Sequence, residues 1–252
     1  DYPARPKAGT PRGVASARTL YGKKTMSQRE TCYMCNAIAT SREHAPPSCF
    51  FPSVDDVGID LRKNLVTVPA CDDHNSRKSK DDEFFRAVIV MTAAQHSEIG
   101  RVQFFGKFIR AVRRTPHAYR SFFEDHGTLA GRTQHASRID RTRFDACVDH
   151  LARALFFHTY GTKWVFPIAI TSPNFYSGVA NDAIVPHLPT EQAVAMTRRV
   201  LGSQAVLGDN PDVFKYRLRY EPSEDAFAFA AIFYDVFEVF SYSSRELSQV
   251  AV

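Results

Sequence analysis

Two stretches decide the fold of this chain: Cys32-Tyr33-Met34-Cys35 and Cys71-Asp72-Asp73-His74. In each stretch, two side chains that bind soft metal ions are separated by two residues, so a tight turn can direct both at one ion. Together they supply four ligands, as a tetrahedral zinc site requires. The alternative is three ordinary thiols and a surface histidine. Three of the five cysteines lie in these stretches, while Cys49 and Cys147 are isolated, which favours structural zinc.

The segment between and just after these knuckles contains residues suited to phosphodiester hydrolysis. Glu43-His44 lies beside Pro46-Pro47, Asn64 opens the run Leu65-Val66-Thr67-Val68, and Asn75 follows the last proposed zinc ligand. A histidine with an unperturbed pKa of about 6.5 can accept a proton from water at neutral pH. A carboxylate and an amide oxygen suit Mg²⁺ or Mn²⁺, which would neutralise charge on the phosphate. The alternatives are a structural histidine at position 44 and a turn residue at position 64.

This arrangement resembles the HNH endonuclease family over about residues 30 to 86, in the variant with asparagine at the third signature position. The resemblance implies a ββα-metal fold held by zinc. It also implies that His44 is the general base, that Asn64 orients this base, and that Glu43 and Asn75 bind the catalytic cation. Two departures from many members are Asn75 in place of histidine and His74 in place of a fourth cysteine. The resemblance favours DNA over RNA as the substrate, and a bacterial or phage defence setting.

The charge of the chain permits a polyanionic partner but does not require one. The net charge is +5, and Lys and Arg outnumber Asp and Glu between Arg101 and Arg153, so this segment is expected to follow a phosphate backbone unless it is only a solvated helix face. Arg77, Lys78 and Lys80 would bind phosphate beside the cation, or form a solvated turn. No apolar run is long enough to cross a bilayer and no secretion signal is evident, so we expect a cytoplasmic protein.

The whole chain is predicted to be α+β and to have four parts. These are a flexible basic leader over 1–28, the zinc-bound nuclease module over 29–96, a basic helical segment over 97–160 and an α+β portion over 161–252 with its own core. The last part is expected to serve target recognition, a protein partner or homo-oligomer formation.

Periodicity and turn residues predict the individual elements. Ser79-Lys80-Asp81-Asp82 resembles a capping box, and 124–138 is expected to be a connector or a mobile substrate loop. Helices are predicted over 81–95, 99–112, 141–158 and 191–201, and strands over 65–68, 164–170, 213–220 and within 227–241.

The rival to a nuclease is a zinc module without enzymatic activity that binds nucleic acid or a protein. The two hypotheses differ at Glu43, His44 and Asn75, which binding alone does not require.

Overall fold

A computed structural model describes residues 30–246 except 124, 130–131, 137–138, 181–182 and 187. The predicted leader over 1–28 lies outside the described residues. The chain is α+β, with helices and antiparallel sheets, as the sequence predicted. Within the described part, every helix is too short or too polar to cross a lipid bilayer.

The N-terminal part consists of two short strands and a helix. Strand β1 (Ser41–His44) pairs antiparallel with β2 (Thr67–Ala70), so that His44 lies opposite Thr67. A single turn of helix, α1 (Val54–Val57), lies in the connection, and α2 (Ser79–Ala93) follows β2 after two 3₁₀ turns. Strand β2 starts two residues later than predicted and contains Pro69, which a two-stranded sheet tolerates because both of its strands are edges.

The capping-box prediction at the start of α2 is wrong. The helix begins at Ser79, its N-cap is Lys78, and no side chain caps it. Asp82, which would have closed the box, instead binds the ammonium of Lys78.

The predicted second helix is present but is interrupted. It comprises α3 (Glu98–Gln103), a π-helical segment (Phe104–Phe108) and α4 (Ile109–Arg114), followed by a 3₁₀ segment (Pro116–Phe123). The prediction of a connector over 124–138 is wrong, because the backbone forms the antiparallel pair β3 (Asp125–Leu129) and β4 (Arg132–Ala136).

The third predicted helix is confirmed as α5 (Arg141–Tyr160). The Asp140 carboxylate accepts a hydrogen bond from the backbone N–H of Arg143 at its start, and Gly161 adopts the left-handed conformation that ends it.

Two four-stranded sheets complete the described part of the fold. One has the order β5 (Ala169–Thr171), β10 (Phe237–Ser244), β9 (Ala226–Phe233), β8 (Phe214–Glu221), and the other has the order β4, β3, β7 (Ala183–Pro186), β6 (Tyr176–Ala180). The prediction of a strand over 164–170 is wrong for most of its length. The buried indole of Trp164 donates to Ser243 Oγ at 2.7 Å, and this side-chain bond fixes the segment that precedes β5. Helix α6 (Leu188–Leu201) and the strands β8, β9 and β10 match the predictions over 191–201, 213–220 and 227–241 to within a few residues, whereas β6 and β7 were not predicted.

The C-terminal sheet and the N-terminal part share one hydrophobic core. Phe233 of β9 contacts both Phe50 and Phe85, with ring centroids 5.0 and 5.6 Å apart. The Tyr234 hydroxyl donates to the Phe50 carbonyl at 2.7 Å. The expectation that the C-terminal portion has its own core is therefore wrong, because its buried aromatic residues pack directly against α2.

Candidate metal centre and active site

The two knuckles come together as the sequence predicted. Cys32, Cys35, Cys71 and His74 place their ligand atoms within 4.8 Å of one another, and we call them the zinc cluster. The Sγ atoms of Cys35 and Cys71 are 3.8 Å apart, and His74 Nδ1 lies 3.6, 3.6 and 3.1 Å from the sulfurs of Cys32, Cys35 and Cys71. A zinc tetrahedron with ordinary bond lengths has edges of about 3.8 Å between sulfurs and about 3.5 Å between sulfur and nitrogen. The cluster therefore has the dimensions of a site that could bind zinc.

Short backbone hydrogen bonds give the knuckles this shape. The first knuckle closes through Cys32 N–H to the Ala37 carbonyl (2.9 Å), and the second through His74 N–H to the Cys71 carbonyl (3.1 Å). Tyr33 N–H donates to the Pro69 carbonyl at 2.8 Å and so ties the first knuckle to β2. The ligand atoms are thus held at one place by turns and by the sheet.

The environment favours thiolate sulfur at Cys32, whereas burial raises the pKa of the Cys71 thiol. Burial raises the pKa of the Cys32 thiol, but hydrogen bonds from backbone N–H groups at Cys71, Met34 and Cys35 together outweigh it and hold this pKa below its usual value. The knuckle is also fixed from outside, because the ammonium of Lys163 donates to the Cys35 carbonyl at 2.6 Å.

Helix α5 covers the cluster with a second histidine that the sequence analysis did not identify. The rings of His150 and His74 lie 5.5 Å apart, and His150 Nδ1 is 3.5 Å from the Tyr33 hydroxyl. Burial is the largest influence on His150 and lowers its pKa to about 4. A single histidine inside a helical pattern gave no sequence signal for this position.

His44, the predicted base, is the last residue of β1 and is half-buried. Burial lowers its pKa, so the imidazole is neutral at pH 7 and can accept a proton. Within the described chain, no side chain forms a hydrogen bond with its ring. Asn64 therefore forms no hydrogen bond with the ring, although the Val66 carbonyl, two residues beyond Asn64, accepts from Ala45 N–H at 3.0 Å.

Glu43 is buried and paired. Its Oε1 lies 2.6 Å from Lys78 Nζ, which also lies 2.5 Å from Asp82 Oδ1, and we call these three residues the Lys78 triplet. Burial raises the pKa of Glu43 to about 7, Lys78 lowers it, and Asp82 raises it again. Once Glu43 is ionised, one ammonium between two carboxylates leaves one net negative charge, so the triplet attracts cations as pH rises above about 7.

Asn75 is anchored to β1. Its Nδ2 donates to Ser41 Oγ at 2.8 Å and to the Arg42 carbonyl at 3.2 Å. These two bonds engage the amide nitrogen and leave Oδ1 as the atom that can bind a cation. Asn64 lies in a turn before β2 and has a positive φ of 55°, a conformation that asparagine tolerates better than most residues, so the turn alternative accounts for its presence.

The three basic residues predicted to bind phosphate have different surroundings. Lys80 is exposed, and Arg77 is exposed and pairs with Asp73. Lys78 is directed inward to Glu43 and Asp82, with only 11% of its side chain exposed, so it stabilises the triplet and does not face solvent. The i, i+4 spacing of Lys78 and Asp82 was the sequence signal for this pair.

Comparisons of the chain with protein-family models, with curated proteins and with solved structures gave no match. Function is therefore inferred from the cluster and the residues around it.

Proposed function

We propose that this chain is a zinc-stabilised, cation-dependent endonuclease of the HNH type that hydrolyses phosphodiester bonds. The observation that carries the proposal is the position of Asn75. It directly follows a zinc-cluster ligand and is bound to β1, the strand that ends in His44. Zinc bound to all four protein ligands has no open position, so its role would be to hold the frame.

In this mechanism, His44 accepts a proton from a water molecule whose oxygen attacks phosphorus, and the leaving oxygen takes a proton from solvent. The lowered pKa of His44 suits this step because the ring is unprotonated at neutral pH. Asn75 Oδ1 and the Glu43 carboxylate would hold a Mg²⁺ or Mn²⁺ ion, which neutralises charge on the phosphate and its leaving oxygen.

Lys78 sets a condition on this mechanism. Its ammonium forms an ion pair with the Glu43 carboxylate, so a divalent cation must share that carboxylate with Lys78 or displace the ammonium. Because the triplet becomes negative only when Glu43 is ionised, cation binding there is expected to be weak at pH 6 and to strengthen as Glu43 loses its proton near pH 7.

The proposed partner is nucleic acid, with DNA favoured over RNA by the family resemblance. Arg110, Arg113 and Arg114 of α4 lie together and form an exposed arginine face, and Arg101 is exposed on α3. None of the four pairs with a carboxylate in the described chain. Unpaired arginines along a helix suit a phosphate backbone. Arg77 and Lys80 lie beside the proposed active site and would contact phosphates near the cleaved bond.

The test is plasmid and RNA cleavage by purified wild type with Mg²⁺, Mn²⁺ or EDTA, compared with His44→Ala. We expect cutting that needs the added cation and falls by about 10²–10⁴-fold in His44→Ala, the range for a general base. His158→Ala is the control, because His158 is an exposed histidine on α5. Equal cutting by wild type and His44→Ala, with zinc content unchanged, would refute the mechanism.

The burial of Glu43 against Lys78 favours a second candidate, a zinc module that binds nucleic acid without cutting it. A binding module tolerates a closed ion triplet, whereas a nuclease must open it. Salt-dependent DNA or RNA binding by wild type and His44→Ala alike, with no cleavage under any cation, would select this second function.

A further inference from the structure

Arg86 of α2 is a buried cation without a partner. Only 5% of the residue is exposed, and Nε and Nη1 are shielded from solvent without a hydrogen-bond partner. Among the described residues no carboxylate pairs with it. An arginine side chain keeps its proton in proteins, and an isolated buried charge is strongly unfavourable. A group that supplies negative charge is therefore required here.

Other polar groups gather at the same place around the segment 49–51. Gln103 Nε2 donates to the Phe50 carbonyl at 3.0 Å, and Arg62 donates to the Phe51 carbonyl through Nε and Nη2 at 3.2 and 3.1 Å. Gln103 is 1% exposed, and its Oε1 has no partner among the described residues. Two buried polar side chains with unused hydrogen-bonding atoms thus lie on the elements that enclose this segment.

A third cation, Lys107, lies one turn beyond Gln103 in the π-helical segment. It is half-buried, and burial together with the guanidinium groups of Arg86 and Arg62 lowers its pKa, which places the three cations within electrostatic range. The nearby acid Asp56 is bound to Ser53 through its N–H and hydroxyl, at 3.0 and 2.6 Å. π-Helical turns occur often at functional sites.

We propose that Arg62, Arg86, Gln103 and Lys107, the Arg86 cluster, form a binding site for a phosphate-sized oxyanion. Gln103 Oε1 can only accept a hydrogen bond, so it would receive one from a protonated oxygen (P–OH) of the anion. The guanidinium of Arg86 matches two oxygens of such an anion, and Lys107 adds a third contact. Arg62 is exposed, Lys107 is half-buried and Arg86 is buried, so the cluster extends from the surface inward. Because Arg86 is buried, the ligand is a free phosphate or the terminal phosphate of a strand. The flanking nucleotides of a duplex would keep an internal phosphodiester away from the Arg86 guanidinium.

This site is independent of the proposed nuclease activity, since none of its residues belongs to the zinc cluster or to the His44 site. Its test therefore measures binding and not cleavage. Thermal unfolding of the full chain is followed in increasing inorganic phosphate, with sodium chloride adjusted to hold the ionic strength constant. We expect a saturable rise in Tm of about 5–10 °C at about 100-fold excess over Kd.

Variants assign the response to the cluster. Arg86→Met is expected to abolish the phosphate response and to melt no lower than wild type in chloride, since it removes an uncompensated buried charge. Lys107 is half-buried, so Lys107→Gln should leave the fold intact. This variant is expected to raise the half-saturating phosphate concentration about tenfold. Arg199→Met, at an exposed position of α6 outside every proposed site, is the control and should respond as wild type does.

A second arm separates the two sources of the anion. A short single-stranded oligonucleotide with a 5′ phosphate is compared with the same strand without it, in wild type and Lys107→Gln. Tighter binding of the phosphorylated strand only in wild type would assign the site to strand ends. Equal binding of both strands beside a saturable phosphate response would assign it to the free anion. No saturable response in wild type, or one that Lys107→Gln leaves unchanged, would overturn the proposal, as would a large loss of stability of Arg86→Met in chloride.

Discussion

Replacing Lys78 with methionine tests whether the Lys78 triplet holds β1 against α2. The Nζ atom lies 2.6 Å from Glu43 and 2.5 Å from Asp82, and the side chains of the three residues are 11%, 6% and 20% exposed. Solvent therefore screens these contacts weakly. Methionine is unbranched and of comparable length, so the variant removes the charge with little change in packing.

The expected loss follows from this burial. Removing one partner of a buried ion pair costs about 3–5 kcal/mol because a charge is left unpaired. In a chain of this size each kcal/mol lowers Tm by about 2–4 °C, so Lys78→Met should melt about 6–20 °C below wild type. Lys215→Met is the matched control. Its partner Asp235 is more than half exposed, and such surface pairs contribute about 0–1 kcal/mol.

The loss should depend on pH in a defined direction. Burial raises the pKa of Glu43 from 4.5 to about 7, so ionisation of Glu43 opposes folding. The stabilising contribution of the protonated carboxyl is full below pH 4.5 and is lost as pH rises through 7. Without Lys78 this pKa rises further, because the attractive ammonium is gone. The difference between variant and wild type should therefore be smallest near pH 5.5 and largest near pH 8, measured by urea unfolding with zinc content monitored. A Tm of Lys78→Met within 2 °C of the wild-type Tm at pH 8 would refute a structural role for the triplet.

Three further predictions concern thiols and a histidine. Cys71→Ser should abolish zinc binding, measured as metal per chain, whereas Cys147→Ser, outside the cluster, should keep it. Burial raises the pKa of Cys49 to about 11 and that of Cys147 to about 12. Neither thiol should therefore react with iodoacetamide at pH 8, where only about one Cys49 thiol in a thousand is ionised. Rapid labelling of either cysteine in zinc-loaded protein would contradict this burial. His150 has a folded pKa of about 4, below its usual 6.5, so its neutral form stabilises the fold above pH 6.5 and this contribution falls as pH decreases towards 4. Wild type should thus lose more stability than His150→Gln between pH 7 and pH 5, and equal losses would show that His150 does not titrate in this way.

The zinc cluster could be predicted from the sequence because each pair of ligands lies within a four-residue stretch. A two-residue gap and a closing turn bring each pair together, and the second pair needs only one antiparallel strand pairing to reach the first. Helices α2 and α5 were likewise predictable, since their apolar residues recur with helical spacing.

The remaining features depend on contacts between distant parts of the chain. The segment that begins at Trp164 has the composition of a strand, yet its indole N–H bonds to Ser243 and the backbone does not pair until Ala169. The burial of Lys78 depends on Glu43, which is distant in sequence, and Lys78 was therefore assigned to phosphate binding. No pattern in α2 distinguishes Arg86 from a solvated arginine, because its isolation follows from the C-terminal sheet that covers the helix.

The short segment from Cys71 to Asp82 links the structural and the proposed catalytic functions. His74 belongs to the zinc cluster, the next residue is anchored to β1, and Lys78 reaches Glu43 on the same strand. Two 3₁₀ turns connect these positions, so they cannot move independently over more than a few residues. A metal that fixes His74 would therefore fix the distance between Asn75 and β1 as well. Loss of zinc is then expected to loosen the proposed cation site before the shared aromatic core between α2 and β9 unfolds. Asn75 directly follows a ligand, whereas the ring contacts of Phe233 with Phe50 and Phe85 involve no ligand side chain.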